Sequence, residues 1–283
     1  KLQKNNCKII AMNQSIIKNP IKRTLFSIIN FKKTIKKGKY DIVHINMYNS
    51  VGLFYASLIK EKNLKIVCHA HNTGIDNDKF YFKRITNFLL KQLFTKKKYI
   101  YLACSNEAAD FCFKIKSQKL TIVNNGIETE KFLFDLNKRK EIRKELNFAE
   151  SDIIVGHVGR FVAQKNHTFL IDVFKEFLEI MPNSKLVLIG NGETKEDIMR
   201  KIVELKIEKN IILLENIKNV NEYMQAFDLF LFPSLYEGLG IVLIEAQAAG
   251  LKCFASDTIP RNAKISDNLI FLSLSSSPRQ WAN

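Results

Sequence analysis

The stretch DIIVGHVGRFVAQKNHTFLIDVFKEFLEIM, residues 152–181, joins a short apolar run to a longer amphipathic one. The apolar run is rich in β-branched residues and nearly continuous, which is typical of a strand buried on both faces. Apolar residues recur at helical spacing further on, which predicts a helix over residues 166–180. A strand, a loop and a helix in this order form one βα unit of a parallel sheet.

The same alternation runs along the whole chain. Further predicted strands cover residues 40–46, 64–70, 98–104, 119–125, 185–192, 210–216, 229–234 and 252–257, with helical patterns between them. Continuous apolar strands with helical crossovers predict parallel sheets that helices cover on both faces. We therefore expect an α/β protein of two Rossmann-like domains facing each other across a cleft. The charged stretch 134–145 is the predicted seam, which gives domains of residues 1–135 and 136–283.

The composition limits the class of protein. The chain has 283 residues, of which 46% are hydrophobic, enough for two packed cores. No apolar run approaches the roughly 20 residues that span a bilayer, and no signal peptide is recognisable. The five cysteines include no Cys-x-x-Cys pair, so we interpret them as reduced residues of a cytoplasmic protein.

Charge is divided unevenly along the chain. The net charge of +16 is made of +19 over residues 1–140 and −3 over residues 141–283. This predicts an anionic partner for the first half, such as phosphates or a membrane surface. Residues 80–98 mix aromatic residues with a lysine run, which is typical either of an interfacial helix or of a core helix that ends in solvated lysines. No aromatic–basic motif or helix-turn-helix pattern supports nucleic-acid binding.

The loop inside residues 152–181 is a candidate anion site. Gly159 allows a close backbone approach, and Arg160 and Lys165 place two cations before a helix N-terminus, a combination suited to a diphosphate. A solvated basic loop is the alternative. A second glycine pair, Gly190 and Gly192, ends another predicted strand; it indicates either a plain turn or room for a nucleoside base.

The stretch SLYEGLGIVLIEAQAAG, residues 234–250, holds two glutamates in an apolar setting. Glu237 precedes a predicted helix over residues 241–249, and Glu245 lies inside it, where a buried carboxylate is costly unless it is paired. Carboxylates accept hydrogen bonds from neighbouring hydroxyls, so a nucleotide sugar would place its hexose on Glu237 and its ribose on Glu245. Alternatively, Glu237 caps the helix and Glu245 pairs with a lysine. The backbone amides of Gly238, Leu239 and Gly240 are expected to face phosphate oxygens.

Three segments carry a resemblance to a known family. VGRFVAQKN, LVLIGNG and FPSLYEGLGIVLIEAQAAGLKCFASD resemble the donor-binding domain of retaining glycosyltransferases of family 4, which have the GT-B fold. The likeness is to the bacterial capsular and exopolysaccharide branch. It implies that Glu237 contacts the transferred sugar, Glu245 the ribose, and Arg160 with Lys165 the diphosphate. Lys252 stands where the family usually has proline.

The first half resembles the acceptor domain of the same family. The resemblance implies a histidine beside the reacting sugar, and in KIVCHAHNTG the position of His71 fits this better than that of His69. His-x-His could instead bind a metal, but no third ligand has convincing spacing. Asp-Asn-Asp at 76–78 matches the metal-binding motif of another glycosyltransferase class by pattern only. The family works without a metal or other cofactor.

The resemblance also shows departures. No glycine-rich loop occurs before Lys39, and the C-terminal helix that returns to the first domain is missing. We therefore expect a chain truncated at both ends, with an incomplete N-terminal domain and weak or no activity.

The function that the resemblance implies is transfer of a sugar, with retention, from a nucleoside-diphosphate sugar to a lipid-linked saccharide. The family's leaving phosphate is thought to take the acceptor's proton. The enzyme would then make surface polysaccharide in the cytoplasm or at the inner membrane face. A non-catalytic nucleotide-sugar binder is the alternative. A nicotinamide oxidoreductase would need Gly-x-Gly-x-x-Gly after a strand, and a glycoside hydrolase two carboxylates about 5 Å apart; neither pattern is found.

Overall fold

The computed structural model describes residues 19–74, 81–115 and 119–283. Within these ranges the chain forms two parallel β-sheets with helices packed on them, which confirms the predicted α/β class. Cys7 and the motif at 76–78 lie outside the described residues.

The first sheet has four strands, and its order follows the sequence. The strands are β1 (Ile42–Met47), β2 (Lys65–Ala70), β3 (Ile100–Ala103) and β4 (Leu120–Ile122), all parallel. The helices of this half are α1 (Pro20–Gly38), α2 (Val51–Ser57), α3 (Tyr81–Phe94) and α4 (Asn106–Cys112). The start of α1 is fixed by Asn19, whose side chain accepts hydrogen bonds from two first-turn amides, and by Pro20 at the first helical position.

The second sheet has six parallel strands. They are β5 (Ile153–Val158), β6 (Ser184–Ile189), β7 (Ile211–Leu214), β8 (Leu229–Phe232), β9 (Lys252–Ser256) and β10 (Leu269–Leu272). The helices are α5 (Leu136–Glu145), α6 (His167–Ile180), α7 (Lys195–Glu204), α8 (Val220–Met224), α9 (Ile241–Ala248) and α10 (Pro278–Ala282). In space the order is β7-β6-β5-β8-β9-β10. The order reverses between β5 and β8, so the loops after these two strands flank the crevice where open α/β sheets bind ligands.

Helix α9 is the element that places the second glutamate. It is apolar on nearly all sides, and Leu243, Ile244 and Ala246 are buried in the core formed with β8 and β9. A helix of this kind is held by packing around its circumference. Its N-terminus therefore lies at a fixed position beside the loop after β8.

The predicted seam is a helix bound to the second sheet. In α5, Arg139 and Arg143 both reach Asp228, with nitrogen–oxygen distances of 2.5 and 3.3 Å. Phe132 already packs in the hydrophobic core of the second sheet. The chain thus leaves the first sheet before Asp135, and the division at residue 135 stays a prediction.

All nine predicted strands are present, each shorter than its predicted range or shifted by one or two residues. Two elements are additional: β10, which has four residues at the edge of the second sheet, and α1. In the described ranges, no helix combines the length and the apolar character that crossing a membrane requires.

Candidate active site

A cavity of about 1200 Å³ lies between the carboxyl edges of the two sheets. Arg160, Lys165, Glu237, Glu245 and His71 all line it. The four side chains predicted to grip a nucleotide sugar, together with the histidine of the first half, therefore share one space.

The loop after β5 carries the two cations. The side chain of Arg160 is exposed at the cavity, while Lys165 is half-buried and lies over the ring of Phe232, with Nζ 4.7 Å from the ring centroid. Asn166 has a left-handed backbone, φ 53°, and ends the short turn Ala163–Lys165 directly before α6. This turn directs Lys165 toward the loop after β8.

Glu237 is paired with Lys165. The glutamate is buried, and its Oε1 accepts a hydrogen bond from Lys165 Nζ at 2.6 Å. It does not occupy the N-cap position of α9. That position belongs to Gly240, which has no side chain to bond the helix amides. The ion pair offsets the desolvation cost of the buried carboxylate.

Glu245 lies about one turn into α9 and is half-buried. Among the described residues, no hydrogen bond or ion pair involves its carboxylate, so the alternative of a lysine partner is not found. Burial raises the pKa of this carboxyl above its ordinary value of 4.5. Its oxygens are available to accept hydrogen bonds from a ligand in the cavity.

The glycine-rich turn before α9 is closely packed. Gly238 faces the first sheet, where a Cβ atom would overlap the main-chain oxygen of His71. Gly240 has φ +72°, a conformation that favours glycine. Leu239 is buried in the second core and also borders the cavity.

Gly190 and Gly192 lie in a closely packed turn, the first of the two alternatives. Neither lines the cavity. A Cβ on Gly190 would overlap the main-chain oxygen of Gly159, and one on Gly192 would overlap that of Phe161. Two loops touch here and leave no room for a side chain at either position.

On the first sheet, His71 follows β2 and lines the cavity, whereas His69 is buried behind it. The Nε2 of His71 lies 2.8 Å from the amide oxygen of Asn46, which only accepts, so Nε2 carries the proton. The rings of His69 and His71 are tilted by 38° with centroids 4.1 Å apart, and Nδ1 of His69 lies 3.2 Å from Nε2 of His44.

These histidines are electrostatically coupled. Burial and the neighbouring imidazoles of His71 and His44 lower the pKa of His69 to about 4. Burial also lowers the pKa of His71, and the imidazole of His44 adds a smaller effect in the same direction. At neutral pH His71 is therefore uncharged. The described residues contain no group of three or more His, Cys, Asp or Glu side chains placed to hold a metal ion.

The cavity wall also contains residues that sequence analysis did not identify. On the first sheet's side they are Asn46, Tyr48, Asn49, Asn72, Lys83 and Asn125, and on the second sheet's side Lys218, Val220 and Asn221. Asn46 could have been identified, because it comes near the carboxyl end of β1, directly beside the strand that leads to His71. The others lie in loops and helix ends that carry no periodic signal.

The two sheets meet at the cavity through a pair of loops. The Thr73 hydroxyl donates to the main-chain oxygen of Glu237 at 2.6 Å, and Gly74 lies against the ring of Tyr236. The Tyr236 carbonyl in turn accepts from the Gln164 side chain at 2.8 Å. The loop after β2, the loop after β5 and the loop after β8 are thus connected.

Two family models together match most of the chain. Residues 138–280 match the model described as glycosyl transferases group 1, and residues 6–131 match glycosyltransferase family 4. The putative glycosyltransferase EpsF of Bacillus subtilis is 30% identical over 259 residues, which are 89% of this chain and 67% of EpsF.

A second relative has a more specific name. It is the UDP-Gal:alpha-D-GlcNAc-diphosphoundecaprenol alpha-1,3-galactosyltransferase of Escherichia coli, 27% identical over 90% of this chain and 66% of its own length. The chain thus spans about two thirds of the length of these relatives.

Solved structures share the fold. Anabaena HepE in complex with UDP and glucose superposes with a TM-score of 0.78 at 16% identity, over 99% of this chain and 76% of HepE. WaaG, a glycosyltransferase involved in lipopolysaccharide biosynthesis, gives 0.67 at 16% identity, over 91% of this chain and 85% of WaaG.

Proposed function

Because this chain belongs to the group 1 glycosyltransferases of family 4 and has the GT-B fold, we propose that it moves a sugar from a nucleoside-diphosphate sugar to a saccharide acceptor. The observation that carries the proposal is the shared cavity: two cations and two carboxylates of the second sheet face a neutral histidine of the first. In this proposal the anomeric configuration of the sugar is retained.

The donor is held by residues of the second sheet. Arg160 and Lys165 bind the diphosphate, together with the amides of the Gly238–Gly240 turn. Glu237 binds the hexose, and the unpaired carboxylate of Glu245 accepts hydrogen bonds from the ribose hydroxyls. Gly159 lines the cavity where the diphosphate would lie, and its lack of a side chain leaves the approach open.

The chemical step exchanges one bond for another at the anomeric carbon. The bond from this carbon to the leaving phosphate oxygen breaks, and a bond to the acceptor's hydroxyl oxygen forms on the same face. The hydroxyl proton passes to the leaving phosphate oxygen. Negative charge grows on the diphosphate in the transition state, so Arg160 and Lys165 stabilise that state more than the bound substrate.

The acceptor lies against the first sheet. Neutral His71, oriented by Asn46, is placed to contact the reacting hydroxyl. The wall of asparagine side chains around it offers both donors and acceptors to a saccharide.

We propose a lipid diphosphate as the carrier of the acceptor, as the printed name of the Escherichia coli relative states for that enzyme. Helix α3 borders the cavity through Lys83 and leaves an apolar stripe open to solvent. The stripe consists of Phe82, Ile85, Leu89 and Leu93, spaced to share one face of the helix. An apolar face on a basic domain suits an anionic membrane surface.

The experiment compares Arg160→Ala and Lys165→Ala with the wild type. We expect each substitution to lower sugar transfer about 100-fold or more, in the range of lost charge-stabilising contacts. Thermal shifts with UDP-, GDP- and ADP-sugars identify the donor, and the anomeric configuration of the product is read by NMR.

Arg200→Ala is the matched control, because Arg200 is an exposed cation on α7 that does not line the cavity. It should leave transfer unchanged. Normal turnover in both cavity variants, or an inverted product, would contradict the proposal.

A further inference from the structure

The loop after β2 and the loop after β8 touch at the edge of the cavity. Thr73 Oγ1 donates to the main-chain oxygen of Glu237 at 2.6 Å. Close to this bond, Gly238 lies against the main-chain oxygen of His71, and Gly74 lies against the ring of Tyr236. Both glycines are packed so closely that a Cβ atom would overlap its neighbour.

We propose that Thr73 is a positioning residue that fixes the acceptor-side loop to the donor-side loop. The inference rests on the proposed transferase function. Thr73 lies two positions after His71, and its partner oxygen belongs to Glu237, the residue proposed to hold the hexose. One hydrogen bond therefore sets the distance between the two groups proposed to contact the acceptor and the donor sugar.

The carbonyl of Glu237 depends on this bond. It precedes α9, so it is not part of the helical hydrogen-bond pattern. Within the described ranges, no main-chain amide donates to it. Glu237 is also tied through its carboxylate to Lys165 at 2.6 Å. Its backbone is thus held from the first sheet and its side chain from the second.

The Thr73 bond should therefore affect how the acceptor is aligned with the donor, and not how tightly the donor binds. The proposed donor contacts all come from the second sheet, so losing the Thr73 bond should leave donor binding nearly unchanged. Transfer requires the acceptor hydroxyl to approach the anomeric carbon in a narrow range of positions, and a displacement of about 1 Å can cost up to 100-fold. Hydrolysis of the donor by water does not need that alignment.

The test compares Thr73→Val with Thr73→Ser. Valine keeps the shape of threonine but lacks the hydroxyl, whereas serine keeps the hydroxyl. Any loss of transfer seen with Thr73→Val should therefore be absent with Thr73→Ser. With the nucleotide sugar of largest thermal shift and a short-chain saccharyl diphosphate lipid, we expect Thr73→Val to lower kcat for transfer about tenfold. The donor KM should stay within about twofold, and the ratio of transfer to hydrolysis should fall.

Hydrogen exchange measured without substrate gives a second readout. We expect Thr73→Val to accelerate exchange in peptides 65–74 and 229–240 together by at least about threefold, the effect of one lost hydrogen bond. Thr73→Ser should match the wild type.

Unchanged exchange in both peptides, or equal kinetics in the valine and serine variants, would overturn the role of Thr73. A wild type that neither binds a nucleotide sugar nor transfers one would count against the proposed function alone, because the exchange experiment still decides whether the contact exists.

Discussion

At the scale of single residues, the pairing of Lys165 with Glu237 is the feature that the sequence did not reveal. Both residues were predicted for the site, one for the diphosphate and one for the hexose, yet they bond to each other at 2.6 Å. A dianionic ligand that approaches Lys165 would compete with Glu237 for it. The pair offsets the cost of burying the Glu237 carboxylate when the donor is absent.

Glu245 gives a prediction in which stability and binding change in opposite directions. Because burial raises its pKa above 4.5, the folded protein holds the carboxyl proton more tightly than the unfolded chain does. The stability gained from that proton is complete below the ordinary pKa and is lost as pH rises through the raised one. At pH 7 the buried charge therefore costs stability, and Glu245→Gln should melt at the same temperature as the wild type or higher.

The same substitution should weaken binding of the nucleotide sugar, since an amide accepts fewer hydrogen bonds than a carboxylate. Melting curves from pH 4 to 8, with and without the donor, test both effects. Glu204→Gln, on the exposed surface of α7, is the control. If Glu245→Gln binds the donor as the wild type does, Glu245 does not hold the ribose.

Residue types and their order along the chain were sufficient to predict that Arg160, Lys165, Glu237, Glu245 and His71 line the cavity, but not that Gly190 and Gly192 lie outside it. They could not predict partners, because Lys165 and Glu237 are 72 positions apart and meet only because β5 and β8 are neighbouring parallel strands. Thr73 was missed for a related reason: a lone threonine is common in loops, and only the fold brings it to a site.

At the scale of elements, the loops that follow β5 and β6 behave as one packed unit. Gly190→Ala should destabilise the protein by about 1–3 kcal/mol, as overpacking does, because the new methyl would overlap the main chain of Gly159. Donor binding should weaken too, since Gly159 precedes Arg160. Denaturant unfolding and donor thermal shifts measure the two effects.

Gly126→Ala is the matched control, because no atom lies within 4 Å of the position that its Cβ would take. It should unfold as the wild type does. If Gly190→Ala were equally harmless, close contact between the two loops would not explain the glycine.

Strands were the elements that the sequence predicted best. A buried parallel strand is a continuous apolar run, and each of the nine predicted runs became a strand. Strand β10, LIFL, was not predicted, although its four residues match the length of β3, β7 and β8. The ends of strands were less certain, because polar residues such as those after β6 belong to loops whose course depends on neighbouring strands.

At the scale of the whole molecule, the basic half carries the apolar stripe of α3. Phe82 and Leu93 are 79% and 68% exposed, values unusual for such large apolar side chains on a helix. Phe82→Ser with Leu89→Ser and Leu93→Ser should lower binding to phosphatidylglycerol vesicles by at least about tenfold, because each side chain loses apolar area to bury. Cosedimentation at several salt concentrations separates the apolar contribution to vesicle binding from attraction by charge, which salt screens.

The control is Met199→Ser with Val203→Ser, which removes exposed apolar side chains from α7 of the second domain. It should bind vesicles like the wild type. Binding that does not depend on the anionic lipid content, or an equal loss in both variants, would indicate that α3 is not the docking surface.

The place in the fold of the charges proposed to bind the donor has a further consequence. Arg160, Lys165, Glu237 and Glu245, the charges proposed to bind the donor, all come from the second sheet's loops and helices, whereas His71 and Thr73, the residues proposed for the acceptor side, are uncharged. Under the proposed function, a different first half joined to this second half would direct the same donor sugar to another acceptor. Such a chimera would have to preserve the fit between residues 71–74 and the glycine turn, because the two halves contact each other there.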